Sequence, residues 1–160
     1  STAGDDSGGA GAWNSTVPDA NVFSLGTFNS VNKPGNSIIA YCFADVAGYS
    51  KVSNYYGNGN AEGTFIYTGF KPAWIMVKRT DAAGDNWLMF DNKRAGYNVE
   101  NYYLFPDTSA AEATTDKLDI VSNGFKLRTT GGDINQGIFA YWAFAEEPLV
   151  STNGVPATAR

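Results

Sequence analysis

The chain has 160 residues, of which 43% are hydrophobic and 14% aromatic, and its formal net charge is −5 at pH 7. This length and apolar content suffice for the core of one domain, and the acidic balance argues against a nucleic-acid-binding surface, which must neutralise phosphates. The chain contains no histidine, the commonest general base and metal ligand, and its single cysteine, Cys42, excludes an internal disulfide. Because no segment approaches the about 20 apolar residues of a membrane-spanning helix, we expect no membrane insertion.

The first 46 residues begin with a polar stretch and end with an apolar one. Residues 1–12 are small, polar and acidic, which predicts a flexible linker or the tail of a larger chain. Residues 22–27 predict a short strand. Residues 38–46 alternate with period two and predict a strong strand in which Cys42 and Phe43 are buried, either within the sheets of this chain or against another subunit.

The stretch 70–91 predicts a central β-hairpin. Trp74 and Met76 would point to one face of the strand, and Ile75 and Val77 would point to the other. Both rows are apolar, which is typical of a strand covered on both sides. Residues 81–86 are dense in turn formers, and residues 87–90 predict the returning strand. We therefore expect the tryptophans on these strands, together with Trp142, to lie in the core.

Later segments predict further strands. Asn123-Gly124 separates two alternating apolar runs, which is the strongest local signal for a hairpin, and residues 138–146 predict the last strong strand. No apolar pattern of period 3.6 is sustained anywhere in the chain. The sequence therefore predicts an all-β fold, an antiparallel β-sandwich of jelly-roll or lectin-like type with about eight to ten strands.

The chain also contains a partial internal repeat. Three blocks recur in the same order with nearly equal spacing: FSLGT matches FKLRT, VN matches IN, and YCFAD matches WAFAE. The repeat predicts that residues 13–46 are the C-terminal strands of a preceding repeat unit, packed onto the next one. Residues 47–150 would form a complete sandwich unit, followed by a C-terminal tail over residues 151–160.

The motifs GFKPAWIMVKRT, MFDNKRAGYN, SNGFKLRTT, AYCFADVAGYSK and AFAEEP carry a family resemblance over about residues 13–160. This part of the chain resembles a domain found near the C-termini of long structural proteins of tailed bacteriophages, which are often built from repeated concanavalin- or laminin-G-like sandwich units. No catalytic residues carry over from that family.

The resemblance implies a non-enzymatic virion structural protein, tail-fibre-like or from another surface appendage, that attaches to host-surface glycans. It also implies contacts with other virion proteins, a location on the surface of the virion, and a symmetric homo-oligomer, for which a trimer is expected. A capsid decoration or head-fibre protein, and a free carbohydrate-binding module of a secreted protein, are the alternatives.

Tyrosines are the candidate binding residues. Several lie in or beside predicted loops, where a flat apolar ring with a polar tip suits sugar stacking or subunit contact. The candidates for a glycan or an interface are Tyr55, Tyr56, Tyr97, Tyr102 and Tyr103.

Acidic residues form the second group of candidates. Asp81, Asp85 and Asp91 surround the predicted central turn, but they do not follow the spacing of a calcium-binding loop, and we predict turn and ion-pair roles for them. We predict no metal and no cofactor. A hydrolase remains an alternative, although no carboxylate pair stands out in an aromatic cleft motif.

Overall fold

The computed structural model describes residues 11–94 and 98–147. The chain divides into two units, with the boundary between Cys42 and Phe43. The predicted boundary lies four residues later. The reason for the difference is local bonding: Ser50 donates its hydroxyl to Ala44 O at 2.8 Å, and Val46 pairs with Ser50, so residues 43–46 belong to the unit that follows them.

The first unit contains one regular element, the helical turn α1 (Asn29–Asn32), within the part of it that the structure describes. Two backbone hydrogen bonds fold the described part back on itself, from Gly26 N to Ala12 O at 2.7 Å and from Phe28 N to Gly11 O at 2.9 Å. Residues 1–10 of the predicted linker lie outside the described residues, as does the predicted tail.

Within the described residues, the second unit forms seven strands: β1 (Ser50–Asn58), β2 (Phe65–Tyr67), β3 (Pro72–Arg79), β4 (Leu88–Asp91), β5 (Leu118–Val121), β6 (Gly124–Leu127) and β7 (Gln136–Ala145). The strands form two antiparallel sheets, one with the order β1-β7-β3-β4 and the other with the order β2-β6-β5. A second helical turn, α2 (Gly132–Asn135), leads directly into β7.

A hydrophobic core joins the two sheets. The ring of Tyr55 in β1 stacks on Phe139 in β7 at 5.1 Å and meets the edge of Phe125 in β6 at 6.1 Å. Phe125 also lies edge-on to Tyr141 at 5.5 Å. The all-β antiparallel sandwich is therefore confirmed, while its finer jelly-roll or lectin-like type stays a prediction.

Both predicted hairpins form. β3 and β4 pair antiparallel, with Ile75 opposite Phe90, and β5 and β6 pair through a tight turn with Val121 opposite Gly124. The glycine of the second hairpin is required for a reason that the sequence does not reveal. A Cβ on Gly124 would lie 2.0 Å from Ile66 O, so the absence of a side chain lets β2 approach β6 closely.

The predicted strand over residues 38–46 does not form. In this chain both edges of β7, the related strand, are occupied by β1 and β3, and residues 38–45 have no ladder partner. A strand exists only when its backbone groups pair with a neighbour. Cys42 is exposed and Phe43 is 50% exposed, so their predicted burial within the sheets of this chain is wrong, while pairing by another subunit stays a prediction.

Candidate binding surface

The outer face of the four-stranded sheet carries an apolar row that crosses every strand. Val52 in β1 lies opposite Trp142 in β7, Trp142 lies opposite Met76 in β3, and Met76 lies opposite Met89 in β4. Each of the four side chains is half-buried. Paired residues share a face of a sheet, so these side chains form a continuous apolar strip on the side away from the core.

Aromatic rings extend this strip on the same side. Phe144 lies opposite Trp74 in the next row, with ring centroids 5.5 Å apart, and Trp87 lies 5.2 Å from Trp142. These arrangements are tilted rather than sandwiched, as the ring quadrupoles favour.

Two further rings come from the segment that enters β1. Phe43 lies edge-on to Trp142 at 6.4 Å and to Phe144 at 6.1 Å, and Tyr49 lies edge-on to Phe144 at 6.0 Å. Phe43 and Tyr49 remain 50% and 43% exposed. We call the whole set the aromatic face: Phe43, Tyr49, Trp74, Trp87, Trp142 and Phe144.

Hydrogen bonds fix the segment that contains Phe43 and Asp45 to the start of β1. Asp45 accepts a hydrogen bond from Val52 N at 2.7 Å and forms an ion pair with Lys51. Burial acts to raise the pKa of Asp45, but the hydrogen bonds from Lys51 and Val52 N outweigh it and hold the pKa below its usual value. Asp45 thus positions Phe43 while it stays charged.

Ion pairs also lie beside the part of the aromatic face formed by β3 and β4, across the sheet from Asp45. Glu146 lies 2.7 Å from Lys71 and 3.3 Å from Lys93, and the hydrogen bond from Lys71 is the main cause of its lowered pKa. Asp91, which lies opposite Trp74, pairs with Arg94 at 2.6 Å. Cations and carboxylates therefore alternate along this rim.

One buried carboxylate stands apart from these pairs. Glu100 is 2% exposed, and among the described residues its Oε2 has no hydrogen-bond partner. Burial, with a smaller contribution from the charge of Asp91, raises the pKa of Glu100. A lone buried acid is a source of strain in the fold rather than a site by itself.

The predicted tyrosines do not form one site. Tyr55 and Tyr103 are each 5% exposed and belong to the core, so in this chain neither ring is open to the predicted glycan or interface contact. Tyr55 lies in a strand, not a loop, and its hydroxyl is satisfied by Ile134 O at 2.7 Å. The hydroxyl of Tyr103 bonds with that of Thr115 at 3.0 Å.

The other predicted tyrosines are separated from one another. Tyr56 is 68% exposed on β1, at one edge of the four-stranded sheet. Tyr102 is 37% exposed and lies two residues before Leu104, which pairs with Met89 in β4 at the other edge. Tyr97 lies outside the described residues.

The tryptophans lie on the outer face of the sheet and not in the predicted core. Trp74, Trp87 and Trp142 are half-buried on the aromatic face, and none belongs to the core between the sheets. The expectation that they are core residues is therefore wrong. The apolar character of both faces of β3 was the signal available in the sequence, and the structure places its second apolar row on the outer face of the sheet.

Carboxylates at the central turn act as ion-pair partners, as predicted. Arg79 binds Asp81 at 2.8 Å and Asp85 at 3.3 Å, and it donates to Gly132 O at 3.2 Å. This fork ties the end of β3 to α2. Across residues 11–94 and 98–147, no cluster of three or more histidine, cysteine or acidic side chains is arranged to hold a metal ion.

The comparisons with known proteins give one match. A family described as a domain of unknown function, DUF7483, matches residues 1–148. No curated protein and no solved structure matches the chain. No described helix has the length and apolar character to cross a membrane.

Proposed function

The chain belongs to the DUF7483 family, and we propose that it is a non-enzymatic structural module that assembles with copies of itself through the aromatic face. One observation carries the proposal, the apolar row from Val52 to Met89 that crosses all four strands on the side away from the core. Water contact along such a row is unfavourable, and soluble monomers rarely expose large contiguous apolar patches.

The composition of the face suits a protein interface. Tryptophan, tyrosine, phenylalanine and methionine are enriched at such interfaces, and a polar rim usually surrounds an apolar centre. Here the rim has charges of both signs at each end, Asp45 with Lys51 near β1 and Asp91 with Arg94 near β4. A rim of mixed sign lets one copy of the surface meet another without net repulsion.

The sequence resemblance supplies the biological setting of the proposal. The chain would be part of a tail-fibre-like appendage on the surface of a tailed-phage virion, a homo-oligomer that we expect to be a trimer, in contact with other virion proteins. The same surface chemistry would serve a capsid decoration or head-fibre protein.

The test measures the mass of the chain in solution by light scattering over a range of concentrations. We expect the unmodified chain to be an oligomer and Trp142→Asp to shift it to a monomer, because a carboxylate would lie at the centre of the apolar row. The matched control is Tyr67→Asp, since Tyr67 is 65% exposed on β2 in the other sheet. A monomeric unmodified chain at all concentrations would remove this function.

Glycan binding is the second candidate, favoured by the half-exposed rings of Trp74, Trp87 and Trp142. Flat aromatic rings on a sheet offer stacking surfaces for sugars, and Tyr56 adds an exposed ring at the sheet edge. A glycan array probed with the assembled protein tests this candidate. We expect Trp87→Ala to abolish a signal that Tyr67→Ala leaves intact, whereas an array without signal would count against glycan attachment but not against assembly.

A further inference from the structure

The helical turn α1 in the first unit has a definite pattern of internal hydrogen bonds. Val31 N and Asn32 N both donate to Phe28 O, at 3.0 and 2.8 Å. The side-chain Nδ2 of Asn32 donates to Gly26 O, six residues earlier, at 2.9 Å. Asn32 therefore closes the turn with both its backbone and its side chain.

The turn α2 in the second unit repeats this pattern. Ile134 N and Asn135 N both donate to Gly131 O, at 3.4 and 2.8 Å. The side-chain Nδ2 of Asn135 donates to Thr129 O, again six residues earlier, at 2.6 Å. Each bond of α1 has its counterpart 103 residues later, since 135 − 32 = 103. The matched Val-Asn and Ile-Asn blocks thus form the same turn.

In the second unit, the end of β1 clasps this asparagine. Asn58 N donates to Asn135 Oδ1 at 3.0 Å, and Gly59 N donates to Asn135 O at 2.6 Å. Asn135 Nδ2 donates in return to Asn60 O at 2.8 Å. With these bonds Asn135 is completely buried, at 0% exposure.

Two further residues of β1 complete the fit around α2. Tyr55 donates its hydroxyl to Ile134 O at 2.7 Å from the inner face of the sheet. Gly57 lets the strand approach, because a Cβ there would lie 2.2 Å from the carbonyl carbon of Asn135. The turn α2 therefore fits a strand that carries a core-facing tyrosine followed by the sequence Gly-Asn-Gly-Asn.

The first unit contains the turn without that clasp. Asn32 is exposed and Val31 is only half-buried. The segment that follows corresponds to β7, with Tyr41 at the position of Trp142 and Phe43 at that of Phe144, yet it forms no strand. Ile39 and Tyr41 are 76% and 80% exposed. An alternating apolar segment that has no partner strand can pair with the edge of a sheet.

We propose that residues 23–45 are the last part of a second copy of the unit, completed by strands equivalent to β1 and β3 that another unit of this family provides. The β1-equivalent strand clasps Asn32 with a Gly-Asn-Gly-Asn segment and pairs with one edge of residues 36–45. The β3-equivalent strand pairs with the other edge. This proposal goes beyond the proposed function, because it concerns backbone pairing along both edges of residues 36–45, although the side chain of Phe43 also belongs to the aromatic face.

The experiment completes the first unit by design. Residues 47–124 are placed ahead of Phe23, so that residues 23–160 of the natural chain follow a full set of β1–β5 strands. Hydrogen–deuterium exchange is measured for residues 36–45 in this chimera and in the unmodified chain. We expect exchange of these amides to slow by about a hundredfold or more in the chimera, because they enter a sheet.

The matched control chimera carries residues 125–145 in place of residues 23–45, so it is a tandem of two complete units and shows that the junction permits folding. The proposal is overturned if this control shows two protected β7 strands while residues 36–45 of the test chimera exchange as fast as in the unmodified chain. It is also overturned if the unmodified chain protects these amides in a concentration-dependent dimer, which would make a second copy of this chain their partner.

An asparagine variant distinguishes the specific clasp from general apolar association. In the unmodified chain, Asn32→Ala should leave the unfolding midpoint of the second unit unchanged. In the chimera, the same change should remove most of the gained protection of residues 36–45, as Asn135→Ala should do for β7. Equal protection with and without Asn32 would contradict the clasp.

Discussion

The two faces of the four-stranded sheet are both apolar, yet they are built differently. On the inner face, Ile75, Val77 and Phe139 are completely buried against the other sheet. On the outer face, Trp74, Met76 and Trp142 are half-buried, and the rings of Trp74 and Trp142 pack on Phe144 and Trp87. The inner face is satisfied within the unit, whereas the outer face keeps apolar area available for contact. Stability therefore depends chiefly on the first face, whereas the proposed self-association would depend on the second.

The largest expected effect comes from emptying the inner face. Phe139→Ala should lower the free energy of unfolding by about 3–5 kcal/mol, because it removes a fully buried ring that stacks on Tyr55 and leaves a cavity. Urea unfolding of the purified variant measures the loss. A loss below about 1 kcal/mol would mean that this face is not the core of the unit.

The equivalent change on the outer face should cost less stability. Trp142→Ala should lower the free energy of unfolding by about 1–2 kcal/mol, because its ring is already partly in water and loses mainly its contacts with Trp87 and Phe43. The same urea titration provides the comparison, at a protein concentration where both variants are monomers. A loss as large as that of Phe139→Ala would erase the distinction between the faces.

Two carboxylates, Glu100 and Asp45, should respond to pH in opposite directions. The folded-state pKa of Glu100 is raised, so the folded state binds more protons than the unfolded state above the ordinary glutamate pKa, and the contribution of Glu100 to stability falls as pH rises through that window. Glu100→Gln should therefore stabilise the chain at pH 7, by about 1 kcal/mol, and have a smaller effect near pH 4. A variant that is less stable than the unmodified chain at pH 7 would contradict this assignment.

Asp45, beside the aromatic face, should behave in the opposite way. Its folded-state pKa is lowered, so its contribution to stability is present above the ordinary aspartate pKa and is lost as pH falls through the folded-state value. Asp45→Asn should thus destabilise the chain at pH 7 and have little effect at the acid end of the titration. From pH 3 to pH 7, the difference in stability between each variant and the unmodified chain should be small at low pH. As the pH rises, the difference should grow with opposite signs for the two variants.

The smallest expected effect is at an exposed tyrosine. Tyr56→Ala should change the free energy of unfolding by no more than about 0.5 kcal/mol, because the ring is 68% exposed. Its neighbour Tyr55 points to the core, so Tyr55→Ala provides the contrast, with a loss of about 3 kcal/mol or more. Similar losses in the two variants would show that the alternation along β1 is assigned incorrectly.

Local signals predicted the strands well because they depend on neighbouring residues. Alternation and turn residues placed the β3–β4 hairpin and the β5–β6 hairpin, and the structure confirms both. The same signals failed for residues 38–46, since a strand also needs a partner and no local pattern shows whether one is present. An alternating apolar pattern gives a segment the same local preference for a strand whether or not a partner strand is present.

The candidate site was harder to predict because burial is a property of the whole fold. Tyr55 and Tyr56 are adjacent and identical in type, yet one is core and the other exposed. Alternation shows that they lie on opposite faces, but it does not show which face meets the second sheet. The same limit applies to Trp74, whose row is apolar on a side that lies away from the core.

The position of β7 has a consequence for how the chain is synthesised. β7 is the last of the seven strands in the described part of the chain, and it lies in the sheet between β1 and β3. During translation, β1 and β3 therefore emerge from the ribosome well before the strand that joins them, and the four-stranded sheet cannot close until β7 has left the exit tunnel. In this interval β1 has no sheet partner and β3 is paired only with β4, so nascent chains should expose apolar strand edges and should depend on chaperones until β7 is inserted.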